Sequence, residues 1–218
     1  MGLFEVCKSF EFDGDVSVRG ACIMKMFGLD LDDVRDRQPI HQVKFELADG
    51  GICFITGPSG GGKSVILREL YEQFGEDEKI MLNDISADRE ESLIDCFDCE
   101  LGEAMRLLSK AGISDAFNLL EKPKHLSEGQ QYRYRLAQAF ATGKKVIFAD
   151  EFCSTLDRLT AAVVACKTAR FARKEGFTLI VASSHDDLLA DMQPDVVVIK
   201  RGRGKTEVVG RKVNKAEG

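Results

Sequence analysis

Apolar positions along the chain follow two periods, and their order predicts an α/β fold. Residues 3–12 read as a strand, and Val43-Lys44-Phe45-Glu46-Leu47 alternates apolar with polar positions as a second. Asp49-Gly50-Gly51 turns this strand into the apolar run Ile52-Cys53-Phe54-Ile55-Thr56, and the two runs read as a hairpin. Between the first two strands, residues 17–38 carry Ala21, Ile23, Met24, Met26, Phe27 and Leu29 and then an acidic, polar stretch. This predicts a small insertion made of a short amphipathic helix and a loop. Lys79-Ile80-Met81-Leu82 reads as a short strand, and residues 88–121 show helical spacing through Leu93, Ile94, Phe97, Leu101, Met105, Leu107 and Leu108.

The β-branched runs Lys145-Val146-Ile147-Phe148-Ala149 and Thr178-Leu179-Ile180-Val181-Ala182 flank a helical stretch over 156–175, the βαβ rhythm of a buried parallel sheet. Residues 196–199 and 206–209 close the pattern as a hairpin around Gly202 and Gly204. No internal repeat, low-complexity tract or heptad pattern is present.

One turn in this pattern carries specific chemistry. Gly57-Pro58-Ser59-Gly60-Gly61-Gly62-Lys63-Ser64 fits G-x-x-x-x-G-K-[ST], follows a strand and precedes a helical pattern beginning near Val65. A glycine-rich turn of this kind presents backbone N–H groups as an anion nest, with a helix N-terminus aimed at the same phosphates. The residues Ser59, Gly60, Gly61, Gly62, Lys63, Ser64 and Val65 are therefore expected to hold a nucleoside triphosphate. Lys63 would reach the β and γ phosphates, and the Ser64 hydroxyl would ligate magnesium. Downstream, the strand 146–149 delivers Asp150 and Glu151 at its C-terminal end, where ligands sit in open α/β sheets. Asp150 is expected to hold the magnesium and Glu151 to orient the attacking water. Taken alone, the pair also fits a solvated acidic strand end.

Composition narrows the class only a little. At 218 residues the chain suits one sizeable α/β domain spanning 1–218, with a helical subdomain over about 86–142. A hydrophobic content of 44%, a charged content of 30% and a net charge of -6 argue against a surface built wholly for nucleic acid. No apolar run approaches the roughly 18 residues that cross a bilayer. The start Met1-Gly2-Leu3-Phe4-Glu5-Val6 lacks a signal-peptide core and a myristoylation hydroxyl, so the expected location is the cytoplasm. Seven cysteines, an odd number, read as reduced, mostly buried thiols. Cys96-Phe97-Asp98-Cys99 has CxxC spacing but no second pair at zinc-finger spacing.

Leu126-Ser127-Glu128-Gly129-Gln130-Gln131, 23 residues before Asp150 counted from Ser127, resembles the LSGGQ signature of the ABC-type ATPases, and the likeness continues through Arg133 and Ala137. Ser154-Thr155-Leu156-Asp157 resembles the D-loop of that family, and His185, ending the strand 178–184, stands where its switch histidine belongs. The motifs run in family order over residues 43–200. The resemblance implies a mostly parallel core sheet, an N-terminal antiparallel β part and a short helical subdomain. It also implies ATP and Mg2+ as ligands, and a head-to-tail homodimer in which Ser127, Gly129 and Gln130 meet the nucleotide of the opposite subunit. Asp157 would line that interface, and His185 would sense the γ-phosphate. Ser127 followed by Glu128 also has the form of an ordinary helix N-cap with an acidic first turn.

The departures from the family pattern shape the functional expectation. Only 64 residues separate Lys63 from Ser127, and no glutamine follows the 79–82 strand where the Q-loop belongs, since Gln73 lies earlier, in the P-loop helix. By position alone, Asn83 or Asp84 is the candidate to take its place as a magnesium or water ligand, and Phe10 and Phe12 are candidates for stacking on adenine or for the core. The shortened Q-loop region weighs against transport coupling. Residues 149–157 and 132–137 look most like stand-alone, non-transporter ABC ATPases, some of which occur fused to a GNAT acetyltransferase, so a separate partner of acetyltransferase type is one expectation. The alternatives are a transporter's ATP-binding subunit, a nucleic-acid-linked ATPase of the repair or chromosome type, and a binding module that ATP gates without turnover. For nucleic acid the candidate surface is the basic tail holding Lys200, Arg201, Arg203, Lys205, Arg211, Lys212 and Lys215. Tyr132 and Tyr134, interleaved with Arg133 and Arg135, match a base-stacking patch in composition, but their spacing points them to different helix faces.

Overall fold

The computed structural model of the chain describes residues 2–9, 15–36, 40–201 and 205–210. The centre is a six-stranded sheet of β3 (Ile52–Thr56), β4 (Lys79–Met81), β5 (Val146–Ala149), β6 (Thr178–Ala182), β7 (Val196–Arg201) and β8 (Lys205–Gly210). Its spatial order is β4-β5-β6-β3-β7-β8, parallel throughout except for the antiparallel β7–β8 hairpin. Every residue of β3, β5 and β6 is buried, as expected of parallel strands covered on both faces. The pleat sorts them by turn. Ile52, Phe54, Ile147, Ala149, Leu179 and Val181 enter one core, while Cys53, Ile55, Val146, Phe148, Ile180 and Ala182 enter the other.

A separate two-stranded sheet of β1 (Gly2–Ser9) and β2 (Ile40–Leu47) covers one face of the main sheet. The strands run antiparallel with Val6 opposite Val43. The sequence pattern paired residues 43–47 with 52–56, whereas β2 pairs with β1 and β3 lies in the other sheet. The physical reason lies in burial. Residues 41–47 of β2 alternate buried with exposed, fitting one covered face, while β3 is buried at every position and needs strand neighbours on both sides. The turn at Ala48–Gly51 therefore carries the chain between layers, held by Gly51 N–H donating to the Ala48 carbonyl at 2.9 Å.

Between β1 and β2 the insertion forms two helices, α1 (Val18–Phe27) and α2 (Leu31–Asp36), where the pattern predicts one helix and a loop. Ser17 caps α1 by accepting from Gly20 N–H, and Gly28 ends it in the left-handed conformation at φ +62°. No residue of α1 is buried.

After β3 the chain passes through the P-loop into α3 (Lys63–Tyr71), which packs between the main sheet and β1–β2 through Ile66, Leu67 and Leu70. Past β4, a 3-10 turn at Leu82–Asp84 and another at Leu93–Cys96 lead to α4 (Leu101–Lys110), α5 (Ala116–Leu120), a third 3-10 turn at Pro123–His125 and α6 (Glu128–Ala141). This stretch carries less continuous helix than its spacing predicts. The opposite face of the sheet takes α6 and α7 (Arg158–Glu175), and a short α8 (Leu188–Met192) precedes β7. Phe140, Phe171 and Phe177 join there, with the rings of Phe140 and Phe171 4.7 Å apart.

Candidate functional site

Three strand ends of the main sheet open onto one cleft of about 350 Å3. The P-loop after β3 supplies Ser59, Gly60, Gly62, Lys63, Ser64 and Val65, the turn after β5 supplies Asp150, Glu151 and Ser154, and the end of β6 supplies Ser183, Ser184 and His185. These are C-terminal strand ends, the edge at which open α/β sheets bind ligands. Residues nearly ninety positions apart thus meet because β3, β6 and β5 are adjacent and parallel.

The P-loop lines this cleft between β3 and α3. Gly62 has φ +92° and stands at the start of α3 with no side-chain cap, so the helix N-terminus faces the cleft through backbone alone. A Cβ at Gly57, whose φ is +140°, would meet the Lys200 carbonyl oxygen at 2.2 Å. The Lys63 ammonium donates to the carbonyls of Gly57 and Pro58 at 2.9 and 3.0 Å, arching over the loop. Gly61 does not line the cleft, and its N–H closes the turn on the Pro58 carbonyl at 3.1 Å.

Two residues outside the motif support the loop from beneath. His41 on β2 is 3% exposed, and a Cβ at Gly62 would fall 2.0 Å from its Cε1, so the imidazole lies against the loop backbone. Burial lowers the His41 pKa, and the nearby Lys200 lowers it further, which holds the ring neutral. Lys200 on β7 is fully buried, and burial lowers its pKa as well. That placement takes Lys200 out of the basic tail as a phosphate-tracking surface, because it lies in the core, while Arg201 is exposed and pairs with Glu207 at 3.0 Å. Inward alternation along β7 explains it, with Val196, Val198 and Lys200 on one face. Arg203, Arg211, Lys212 and Lys215 lie outside the described residues, as do Phe10 and Phe12.

The turn bearing the carboxylates is strained and tied down. Glu151 and Cys153 have φ of +50° and +60°, conformations that non-glycine residues adopt only when the surroundings impose them. Here Glu151 N–H donates to Asp150 Oδ1 at 3.0 Å, Phe152 N–H to the Ala182 carbonyl at 2.8 Å, and Cys153 N–H to the Tyr132 hydroxyl at 3.1 Å. Asn83, just after β4, accepts from Asp150 N–H at 2.9 Å and donates to the Asp150 carbonyl at 3.3 Å. Asn83 thus supports the backbone of Asp150. Ser183 Oγ donates to the Phe152 carbonyl and accepts from His185 N–H, linking the turn to the histidine.

The Ser64 hydroxyl and the Asp150 carboxylate both line this cleft, hard oxygen donors of the kind that could hold a magnesium ion completing its shell with water and phosphate. No group of three or more His, Cys, Asp or Glu side chains forms an all-protein metal site among the described residues. Cys96 instead donates to the Ser92 carbonyl at 3.4 Å. All seven cysteines are free, and only Cys53 and Cys153 are buried, where mostly buried thiols were expected.

The signature residues lie apart from this cleft. Ser127 and Gln130 form a reciprocal capping box at the start of α6, with Ser127 N–H donating to Gln130 Oε1 at 2.9 Å. A Cβ at Gly129 would stand 3.0 Å from Leu156 Cδ2, so only glycine lets Leu156 pack so closely. The Asp157 carboxylate caps α7 by accepting from Thr160 N–H at 3.0 Å, and hydrogen bonds from the Thr160 side chain and backbone lower its pKa. One chain therefore brings together Ser59, Gly60, Gly62, Lys63, Ser64, Val65, Asp150, Glu151 and His185, and leaves Ser127, Gly129, Gln130 and Asp157 outside.

Fold and cleft together define a P-loop nucleotide-binding architecture. Solved structures similar to this one narrow it to the ABC-type cassette: a dimeric post-hydrolysis state of the ATP-binding cassette MJ0796 bound to ADP and Pi matches with a TM-score of 0.64 at 16% identity, covering 94% of this chain and 97% of that one. A bacterial Atm1-family ABC exporter with ATP bound gives a TM-score of 0.61 at 20% identity, covering 79% of this chain and 36% of that one. The fold is that of an ABC ATPase cassette. No protein-family model matches the chain.

Among curated proteins, the chain is 29% identical over 203 residues to an uncharacterized ABC transporter ATP-binding protein, y4fO, of Sinorhizobium fredii, covering 78% of this chain and 58% of that protein. It is 28% identical over 219 residues to the sn-glycerol-3-phosphate import ATP-binding protein UgpC of Rhodopseudomonas palustris, covering 83% and 58%. A methionine import ATP-binding protein, MetN, of Clostridioides difficile is 25% identical over 212 residues, covering 79% and 65%. The chain thus spans less than two thirds of the length of these relatives. Their names favour the transporter-subunit alternative over the stand-alone type, and none of them supports an acetyltransferase connection. Among the described residues no helix is long and apolar enough to cross a membrane.

Proposed function

We propose that the chain binds ATP with magnesium in the 350 Å3 cleft and hydrolyses it as one half of a head-to-tail dimer. The observation that carries this reading is the convergence of Lys63, Ser64, Asp150, Glu151 and His185 on a single cleft at the strand ends. Lys63 exchanges the carbonyls of Gly57 and Pro58 for the β and γ phosphates, which the N–H groups at the start of α3 also face. Ser64 and Asp150 would hold the magnesium, which would supply positive charge against the phosphates. Glu151 accepts a proton from the water that attacks the γ-phosphorus, the bond to the ADP oxygen breaks, and the products are ADP and phosphate. His185 donates a hydrogen bond to the transferring group, in whose path the strained turn at Glu151 keeps the base fixed.

The second half of the site comes from a second copy of the chain. Ser127 and Gly129 lie away from their own cleft, and the N-terminus of α6 offers the anion-binding end of a fourteen-residue helix. Size-exclusion chromatography of Glu151→Gln with MgATP tests this. A dimer that forms only with nucleotide and is lost in Ser127→Arg supports the sandwich; a monomer at every nucleotide concentration sinks it.

The relatives favour a more specific second reading, in which the cassette powers a transporter as its ATP-binding subunit. Exposed apolar side chains at Leu101, Met105, Phe117 and Leu120, on α4 and α5, give a partner protein something to cover. Cross-linking through a cysteine placed at Phe117 would recover a membrane protein if this holds, and only soluble partners if it does not.

A further inference from the structure

A second cleft, of about 310 Å3, lies on the other side of the carboxylate turn and shares Asp150, Glu151 and Ser154 with the first. Its far wall is α6, which contributes Tyr132 and Arg135, and Asn83 lines it from the end of β4. Most polar groups around it are committed. Asn83 holds the Asp150 backbone, Tyr132 holds Cys153, and the neighbouring Arg133 donates to the Gly129 and Gly112 carbonyls at 3.1 and 2.9 Å.

Arg135 is the exception. Its Nε is buried with no hydrogen-bond partner among the described residues, and no ion pair there involves its guanidinium. A buried donor without a partner costs free energy, so the arrangement is not the end point for this side chain. Glu151 is its counterpart across the same cleft, an exposed carboxylate on a strained backbone that makes no ion pair among the described residues.

We propose that Arg135 is a positioning residue for Glu151, pairing with its carboxylate across the second cleft and so fixing the direction in which Glu151 addresses the first. This rests on the reading of Glu151 as the group that orients water. Both residues line this one cleft, Arg135 from α6 and Glu151 from the turn after β5. The other carboxylates there are poorer partners. Asp150 Oδ1 already accepts from Glu151 N–H, and Glu128 is seven residues back on the same helix, about 10 Å along its axis. Three carboxylates against one guanidinium also disfavour an anionic ligand and favour an internal pair. A planar fork that binds a carboxylate through two parallel bonds gives it direction as well as charge.

The direct test reads the atom in question, by following the 15N signal of Arg135 Nε–H, assigned with Arg135→Lys, in the presence of magnesium and a non-hydrolysable ATP analogue. The expected result is a signal slowed in solvent exchange in the wild type, lost in Glu151→Gln and retained in Glu128→Gln. A signal that responds to Glu128→Gln and ignores Glu151→Gln overturns the proposal. In turnover, Arg135→Ala should lower kcat about tenfold to a hundredfold with KM nearly unchanged, and Arg135→Lys should recover part of it. Equal losses in the Ala and Lys variants, with melting temperatures matching the wild type, count against it. Absence of turnover in the wild type would remove the hydrolysis reading, and the Nε signal would still decide the pairing. The Glu151 and Glu128 variants leave Arg135 in place, so the test does not depend on the folding of Arg135→Ala.

Discussion

Substituting Gly62 by alanine probes how tightly β2 is built into the phosphate cradle. The new Cβ would stand 2.0 Å from His41 Cε1 and 2.6 Å from Nδ1, where carbon–carbon contact is comfortable only beyond about 3.5 Å. His41 is 3% exposed and has no open side to swing toward, so the loop, the ring or the strand must shift. Overpacking of this kind costs about 1–3 kcal/mol. The φ of +92° adds about 1–2 kcal/mol for any residue with a Cβ. Gly62→Ala should therefore destabilise by about 2–5 kcal/mol, a large share of the roughly 5–15 kcal/mol of an ordinary domain. Only the packing part can be relieved. In the double variant His41→Ala/Gly62→Ala the clash is gone and the backbone cost stays, so urea unfolding should show about 1–3 kcal/mol of favourable coupling between the two sites. Strict additivity, within about 0.5 kcal/mol, would mean that the imidazole does not bear on the loop, and the reasoning would fail.

The other expectations concern the supports of the same cleft. Tyr132→Phe strands the buried Cys153 N–H, which should lower stability by about 1–3 kcal/mol in denaturant; a loss under about 0.5 kcal/mol would mean that another acceptor holds that strained turn. Asn83→Leu removes both bonds to the Asp150 backbone, and the magnesium concentration needed for half-maximal turnover should rise about 10–100-fold; an unchanged requirement would sever Asn83 from the site. Because His41 has a pKa lowered from 6.5 in the folded protein, the unfolded chain binds more protons just below that value, and stability should fall as pH drops from 6.5 toward 5. Melting temperatures should show this decline in the wild type and lose it in His41→Gln, and a parallel decline in both would assign it elsewhere.

Much of the cleft was legible because its chemistry is local. Lys63 and Ser64 sit in a fixed pattern on a strand–turn–helix, and Asp150 and Glu151 end an apolar strand, so backbone order alone carries both groups to one edge. The supports were not legible in this way. Asn83 and Tyr132 act through bonds to the backbone of residues 67 and 21 positions away, which no spacing encodes. His41 and Lys200 fall on inward positions of alternating strands, a signal available in the sequence and outweighed by their polarity. The misread hairpin has the same origin. A glycine turn between two apolar runs favours local pairing, and only the five fully buried positions of β3 show that it belongs between two other strands.

In the proposed function, the hydrolytic site is completed by a second copy of the chain. Steady-state ATP turnover measured across protein concentration, with Glu151→Gln alongside, tests it most directly. Specific activity should rise with concentration toward a plateau and be abolished in Glu151→Gln. Specific activity independent of concentration, or turnover that survives in Glu151→Gln, would contradict it.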